Sequence, residues 1–290
     1  MNEISLALGS ERHLAATLTL PESNHPPEVA VILMNAGVIH RMGPHRFNVK
    51  LARALARANV PSLRLDLSGQ GDSRSPAKAI EQRQQVIQDL KAAMDHVERI
   101  CSVKRFVIAG ICSGAFNGLM SAQEDERVVG LWMLDGPVFP TRRTNWVRYG
   151  HQLQARPVNA LWSWGMRAAR APLWLLKAAA TASSAPPVAG QQLSHSAFAS
   201  TLQTLVNRGT AICMVYTGSM YWSYNHDTQF ADAFAGHAFV KKVRCDLVTK
   251  VDHTASTRAA QQQLIDMLLD WMRETQFAAV KKREAAPVDA

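Results

Sequence analysis

The sequence predicts an α/β fold, a mostly parallel sheet of eight strands flanked by helices. Three observations carry this. Short apolar runs alternate with longer amphipathic stretches along most of the 290 residues, the pattern of strands joined by right-handed crossover helices. The run Val29 to Met34 is apolar at every position rather than at every second one, as a strand buried on both faces is. Finally, Phe106-Val107-Ile108-Ala109 leads directly into Gly110-Ile111-Cys112-Ser113-Gly114. That is a strand-to-helix turn with a glycine two residues to either side of a nucleophilic side chain. In so tight a turn a Cβ at either glycine would meet neighbouring backbone. The register centres the turn on Cys112, not Ser113.

The elements follow in order. Ile4 to Leu8 and His13 to Leu20, separated by Gly9-Ser10, read as an antiparallel hairpin. After the strand ending at Met34, a helix spans Pro44 to Asn59 with Phe47, Leu51, Leu55 and Ala58 on one face. Pro61 to Asp66 is a strand, and Leu67 to Ser73 a turn-rich loop. Glu81 to Ile100 is a long amphipathic helix, with Val86, Leu90, Ala93, Val97 and Ile100 facing inward. Arg105 to Ala109 is the strand before the turn, Ser113 to Gln123 the helix after it, and Val128 to Leu134 a further strand. Beyond a long insertion come a strand at Ala211 to Tyr216, a helix at Gln229 to Phe234, a strand at Val243 to Val248 and a closing helix at Ala255 to Gln276. The expected organisation is a core of residues 1–135 and 211–279, a helical lid of residues 136–210 between strands six and seven, and a flexible tail of 280–290.

With 47% apolar residues, the chain suits one large domain with an insertion better than two unrelated ones. It contains no run of eighteen apolar residues, so no membrane-spanning helix is expected. Met1-Asn2-Glu3-Ile4-Ser5 lacks the basic and apolar regions of a secretory signal. Four cysteines, at 101, 112, 213 and 245, show no CxxC spacing, which fits reduced thiols in a cytosolic protein. Neither a metal nor another cofactor is expected. The net charge of +9 is concentrated: residues 136–210 hold eight Arg or Lys and no carboxylate, leaving 24 basic against 23 acidic residues elsewhere. No nucleic-acid module accompanies that charge.

Four landmarks together resemble the α/β-hydrolase superfamily. Asn35-Ala36-Gly37-Val38 follows the third strand, where that family has His-Gly-x. Asp66-Leu67-Ser68-Gly69-Gln70-Gly71-Asp72-Ser73 follows the fourth, the Cys112 turn follows the fifth, and His253 follows the last. More narrowly, Asn35 to Pro44, the Gly-x-Cys-Ser-Gly-Ala turn and Asp252-His253-Thr254 resemble a bacterial subgroup that includes the exosortase-associated hydrolases. The resemblance implies that Cys112 attacks an acyl carbon, with His253 as its base. It implies an acid a few residues beyond Tyr216, but Thr217-Gly218-Ser219-Met220-Tyr221 holds no carboxylate. Asp227 is the first available and the preferred acid, and Asp135, ending the sixth strand, is the alternative. Asp252 adjoins His253 in sequence, so their side chains diverge. The oxyanion would be bound by the N–H groups of Ser113 and of Gly37, with Ala36 and Val38 as neighbours of the latter. His40, Arg41, His45 and Arg46 crowd the same loop. They read either as contacts to an anionic group or as surface charge.

The insertion holds Trp146, Trp162, Trp164 and Trp174 and the basic residues Arg142, Arg143, Arg148, Arg156, Arg167, Arg170 and Lys177. It reads either as tryptophans packing a lid under solvated arginines or as an apolar acyl tunnel with a cationic mouth. On the second reading Arg142, Arg143, Trp146 and Arg148 touch the substrate. The expected activity is acyl hydrolysis or transfer, thioesterase- or cyclase-like, on a small ester or thioester, free or linked to a carrier protein. A non-catalytic, hydrolase-like scaffold is the competing expectation. Contact with an anionic membrane surface is a weaker partner expectation, and nucleic acid is not expected.

Overall fold

In the computed structural model the described residues are 1–155, 193–277 and nothing between or beyond, Asn24, Asn35 and Ala79 also excepted; for 151–155 only the backbone is described. One eight-stranded sheet runs through them in the order β1-β2-β4-β3-β5-β6-β7-β8. The strands are β1 (Asn2–Leu8), β2 (Leu14–Leu20), β3 (Ala30–Met34), β4 (Ser62–Leu65), β5 (Phe106–Ile111), β6 (Val128–Leu134), β7 (Ala211–Thr217) and β8 (Arg244–Val248). β1 and β2 form the antiparallel hairpin, β2 meets β4 antiparallel, and all later pairings are parallel.

Helices cover both faces, and the side-chain alternation of the central strand explains why. On β5, Phe106 and Ile108 join one buried cluster, while Val107, Ala109 and Ile111 join the other. The first cluster is closed by α2 (Gln82–Cys101) and α3 (Ser113–Glu124), the second by α1 (Phe47–Arg57) and a C-terminal helix at Arg258–Glu274. That helix begins later than the sequence pattern suggests. Asp252 binds the backbone N–H and hydroxyl of both Thr254 and Ser256, which holds 252–256 as a turn. The Thr257 hydroxyl then caps the helix by accepting from the Ala260 N–H. Its apolar stripe of Leu264, Ile265, Leu268, Trp271 and Met272 is buried.

The region between β6 and β7 needs a correction. Arg142–Ala155 forms α4, and His195–Asn207 forms α5. α5 is no part of a lid. Phe198, Ala199, Leu202, Leu205 and Val206 are buried in the first core cluster, so this helix is the ordinary crossover that returns the chain to β7. Its 3.6-residue apolar stripe was visible in the sequence; a boundary drawn at the next strand overran it. The last helices in chain order are therefore α6 (Gln229–Ala233) and α7 (Arg258–Glu274). Most of the expected lid, including Trp162, Trp164, Trp174, Arg156, Arg167, Arg170 and Lys177, lies outside the described residues, as does the 280–290 tail. Among the described residues no helix is long and apolar enough to cross a membrane.

If α5 is core, Phe198→Ala should cost about 3–5 kcal/mol of unfolding free energy, the range for emptying a buried aromatic site. Chemical denaturation followed by tryptophan fluorescence measures it. A loss below about 1 kcal/mol, the level of an ordinary surface change, would return α5 to the lid.

Candidate active site

The site is built at the carboxyl ends of the parallel strands, where their loops converge. At the end of β5, Cys112 adopts φ 53° and ψ −114°, a backbone state that costs a non-glycine residue about 1–3 kcal/mol. A Cβ on Gly110 would lie 2.4 Å from the Gly114 carbonyl, so the glycine is what lets α3 start so close to the strand. The turn is secured by the Cys112 N–H donating to the Leu134 carbonyl, 2.8 Å away. The thiol therefore stands proud of the sheet, half-buried, at the amino end of α3.

His253 meets it from the loop after β8. Its Nδ1 lies 2.7 Å from Oδ2 of Asp135, whose side chain is fully buried. The ring and the Cys112 thiol are close enough that each shifts the other's pKa. The loop is fixed from below. The His253 N–H donates to Ser219 Oγ at 2.9 Å, and the Gly218 N–H donates to the Val251 carbonyl. A Cβ on Gly218 would collide with the Thr249 carbonyl, so only glycine allows the loops after β7 and β8 to touch.

The carboxylate on His253 is thus Asp135, and the preference for Asp227 is corrected. Asp227 is exposed, ten residues beyond the end of β7, and is not a partner of the ring. The parallel pairing explains the exchange. β6 and β7 are in register through Leu134 and Val215, and the Asp135 N–H continues the ladder to the Val215 carbonyl. That places the Asp135 carboxylate beside Thr217, which donates its N–H and its hydroxyl, each at 2.7 Å. The stretch after β7 supplies donors to an acid on the neighbouring strand instead of supplying the acid. Thr217 and Ser219 are the residues that sequence reasoning missed. A carboxylate-free stretch with two hydroxyls, facing an Asp at the end of β6, was the available signal.

Electrostatics follow from these contacts. The hydrogen bond that the ring donates to Asp135, then its interaction with Cys112, raise His253 to about 10 against the burial that opposes its charge. The same interaction lowers the Cys112 thiol, again against burial. The other three thiols go the other way: burial raises Cys101 and Cys213, and pushes Cys245 up to about 12.

Gly37 and Ser113, the expected oxyanion donors, are brought together: the Gly37 N–H donates to Ser113 Oγ at 2.6 Å. Asn35 lies outside the described residues. The loop's cationic side chain does not wait for an outside anion. Arg41 binds Oδ2 of Asp66 at 2.6 Å and Oδ2 of Asp72 at 2.7 Å, and its N–H donates to Asp66 Oδ1. His40 lies 3.1 Å from Asp72. His40, Asp66 and Asp72 are spaced as a metal site would be, but the guanidinium already supplies the cation. His45 and Arg46 are exposed.

Of the expected lid contacts, Arg142, Arg143 and Trp146 lie exposed on α4. Arg143 reaches Thr228 Oγ1 at 3.1 Å, and Arg148 donates to the Trp222 carbonyl. Those two bonds tie α4 to the loop after β7.

Known structures share this architecture. An α/β serine hydrolase without lid from Xanthomonas campestris aligns with a TM-score of 0.57 at 12% identity, over 97% of this chain and 96% of that one. An esterase from Pyrococcus furiosus gives 0.56 at 12% identity, over 95% and 90%. An α/β serine hydrolase homologue from Coxiella burnetii gives 0.55 at 14% identity, over 93% and 96%. At such identities the likeness is one of fold. No curated protein matches the chain. Residues 37–267, most of the sequence and all of the site, match the Alpha/beta hydrolase family, and the chain belongs to it.

Proposed function

We propose that this protein cleaves or transfers an acyl group from an ester or thioester through an acyl-enzyme on Cys112. The observation that carries the reading is the chain of contacts from the Cys112 thiol through the His253 ring to Asp135. Asp135 holds Nδ1 and thereby turns the ring's other nitrogen to the sulfur. The lowered thiol and the raised imidazole each favour the charged form of the other, which eases attack of the sulfur on an acyl carbon.

In the proposed cycle the sulfur adds to the acyl carbon, and the carbonyl π pair moves onto oxygen between the N–H groups of Gly37 and Ser113. The carbonyl re-forms as the leaving group departs and takes the His253 proton. Neutral His253 then accepts a proton from water, an alcohol, an amine or a thiol as that acceptor attacks. Expulsion of the Cys112 thiolate regenerates the pair. Thioesters suit this site better than plain esters. A departing thiolate matches Cys112 in basicity, whereas an alkoxide is far more basic than the Cys112 thiolate and leaves the tetrahedral adduct less readily than that thiolate does. The competing scaffold role loses ground, because it predicts a His253 without a carboxylate partner. Four free thiols fit a reducing, cytoplasmic setting.

Iodoacetamide should alkylate Cys112 ahead of Cys101, Cys213 and Cys245, as peptide mass spectrometry after brief labelling will read. The sign follows from the lowered thiol: reactivity persists below the ordinary thiol pKa and falls only on further acidification. His253→Ala should move that midpoint upward, toward the ordinary value. Labelling of Cys101 first, or an unmoved midpoint, would count against the nucleophile.

Asp135→Asn should slow acyl-enzyme formation by about 10² or more, because an amide favours the wrong imidazole tautomer. Asp227→Asn should leave it within about twofold, as expected of an exposed residue away from the ring. Stopped-flow acylation with a chromogenic thioester distinguishes them, and equal small effects would reduce the triad to a Cys-His pair.

An acidic, carrier-linked acyl donor fits the basic segment. Arg142→Gln with Arg143→Gln should lower kcat/KM for such a donor and spare a neutral short-chain thioester. Added salt should imitate the double change, since the screening length is only about 8 Å at ~0.15 M. Equal losses for both donors would assign these arginines to structure instead of steering.

A further inference from the structure

The oxyanion hole of the proposed reaction is occupied by one of the protein's own hydroxyls. Ser113 Oγ accepts from the Gly37 N–H at 2.6 Å, as close as the donors of an oxyanion, about 2.7–3.1 Å, approach their acceptor. The second donor, the Ser113 N–H, helps to lower the Cys112 thiol. The Gly37 amide is therefore engaged by the protein's own acceptor, and an incoming carbonyl oxygen cannot share the place of the hydroxyl.

We infer that the Ser113 side chain is a displaceable placeholder for the substrate oxygen, a positioning residue that fills the oxyanion hole at rest and rotates out when an acyl carbonyl enters. The inference rests on the acyl-enzyme reading of Cys112. The alternative is that the hydroxyl is a tie needed to hold the Gly37 loop. That loop has anchors of its own. Arg41 joins it to the buried Asp66 through both its N–H and its guanidinium, and its Nε reaches Thr17 Oγ1 at 3.2 Å. Turns from the Ile39 N–H to the Ala36 carbonyl and from the Gly43 N–H to the His40 carbonyl close it on either side. Removing the hydroxyl therefore frees an amide without releasing the loop.

The arrangement has a catalytic consequence. A neutral hydroxyl and a ground-state carbonyl are acceptors of similar strength, so exchanging one for the other gains little. An oxyanion accepts about twice as strongly. The hydroxyl must leave before either can bind, so its displacement weakens the unreacted carbonyl and the tetrahedral adduct by the same amount, and the preference for the developing charge comes from the amides themselves.

The test uses butanal, wild-type protein, Ser113→Ala and Ser113→Thr. The Cys112 sulfur adds to the aldehyde carbon, the π pair moves to oxygen, His253 supplies the proton, and nothing leaves. The adduct protects Cys112 from iodoacetamide, so the aldehyde's dissociation constant is read from alkylation rates. Ser113→Ala should bind butanal about fivefold tighter, the net worth of one hydrogen bond no longer displaced, and Ser113→Thr, which keeps the hydroxyl, should behave as wild type. Equal or weaker binding by Ser113→Ala overturns the inference. A second readout does not depend on the nucleophile. With nitrogen-labelled glycine, the Gly37 amide proton should shift upfield in Ser113→Ala and stay in place in Ser113→Thr; an unmoved resonance also overturns it. If Cys112 resists alkylation in every variant, the acyl-enzyme reading fails by itself, and the amide resonance still decides the placeholder.

Discussion

The three hydrogen bonds that converge on the Asp135 carboxylate hold the site together. The acid comes from the end of β6, two of its donors from Thr217 at the end of β7, and the third from His253 beyond β8. A fully buried carboxylate would cost several kcal/mol without such partners, so the three loops cannot separate cheaply. The same bonds decide the chemistry of the ring. Thr217 occupies both carboxylate oxygens from one side and leaves Oδ2 open to one more donor, Nδ1 of His253. The ring's remaining nitrogen then has a single direction, toward Cys112 in the strand-to-helix turn, the elbow of the site. Asp135 itself takes a positive φ of 49°, a conformation that Asp tolerates better than most residues, and this bends the chain out of the sheet just where the carboxylate must turn back under it.

Among four free thiols, environment separates one from the rest. Burial acts on all of them in the same direction, against the thiolate. At Cys101, Cys213 and Cys245 it prevails, and even the Tyr224 hydroxyl beside Cys245 does not reverse it. At Cys112 the interaction with His253 outweighs it, assisted by the Ser113 N–H. The elbow's strained backbone is what permits both contacts at once. A cysteine continuing the strand as an ordinary residue would point into one of the two core clusters, as Cys213 does.

Most of the fold was legible because its signals are local. Uninterrupted apolar runs marked the buried strands, 3.6-residue stripes marked the helices, and the glycine spacing around Cys112 marked the turn. The acid was not legible, because its identity depends on strand register. Nothing local in Thr217-Gly218-Ser219 says that its donors face across to Asp135; the pairing of Leu134 with Val215 does. Arg41 illustrates the same limit. As a sequence, His40-Arg41 with His45-Arg46 reads as an anion site. Only the return of Asp66 and Asp72 from a loop some thirty residues away reveals that Arg41 is internally paired. The boundary between insertion and core failed for a different reason: α5 carried a readable stripe, but the absence of carboxylates that marks the insertion continues through it to residue 210.

Every polar group of the resting site that the proposed chemistry uses already has a partner of the kind the reaction will demand. Cys112 faces the His253 imidazole, His253 faces a carboxylate, and the Gly37 amide faces an oxygen. Turnover is then an exchange of partners at fixed positions, with no donor to be created or swung into place beyond the rotation of one small side chain. Water would have to reorganise around a developing oxyanion, and that reorganisation is a large part of the uncatalysed barrier. Here the cost is met during folding, by the strain at Cys112, the burial of Asp135 and the anchoring of the Gly37 loop through Arg41. The same features that make the elbow locally expensive are what make the site ready.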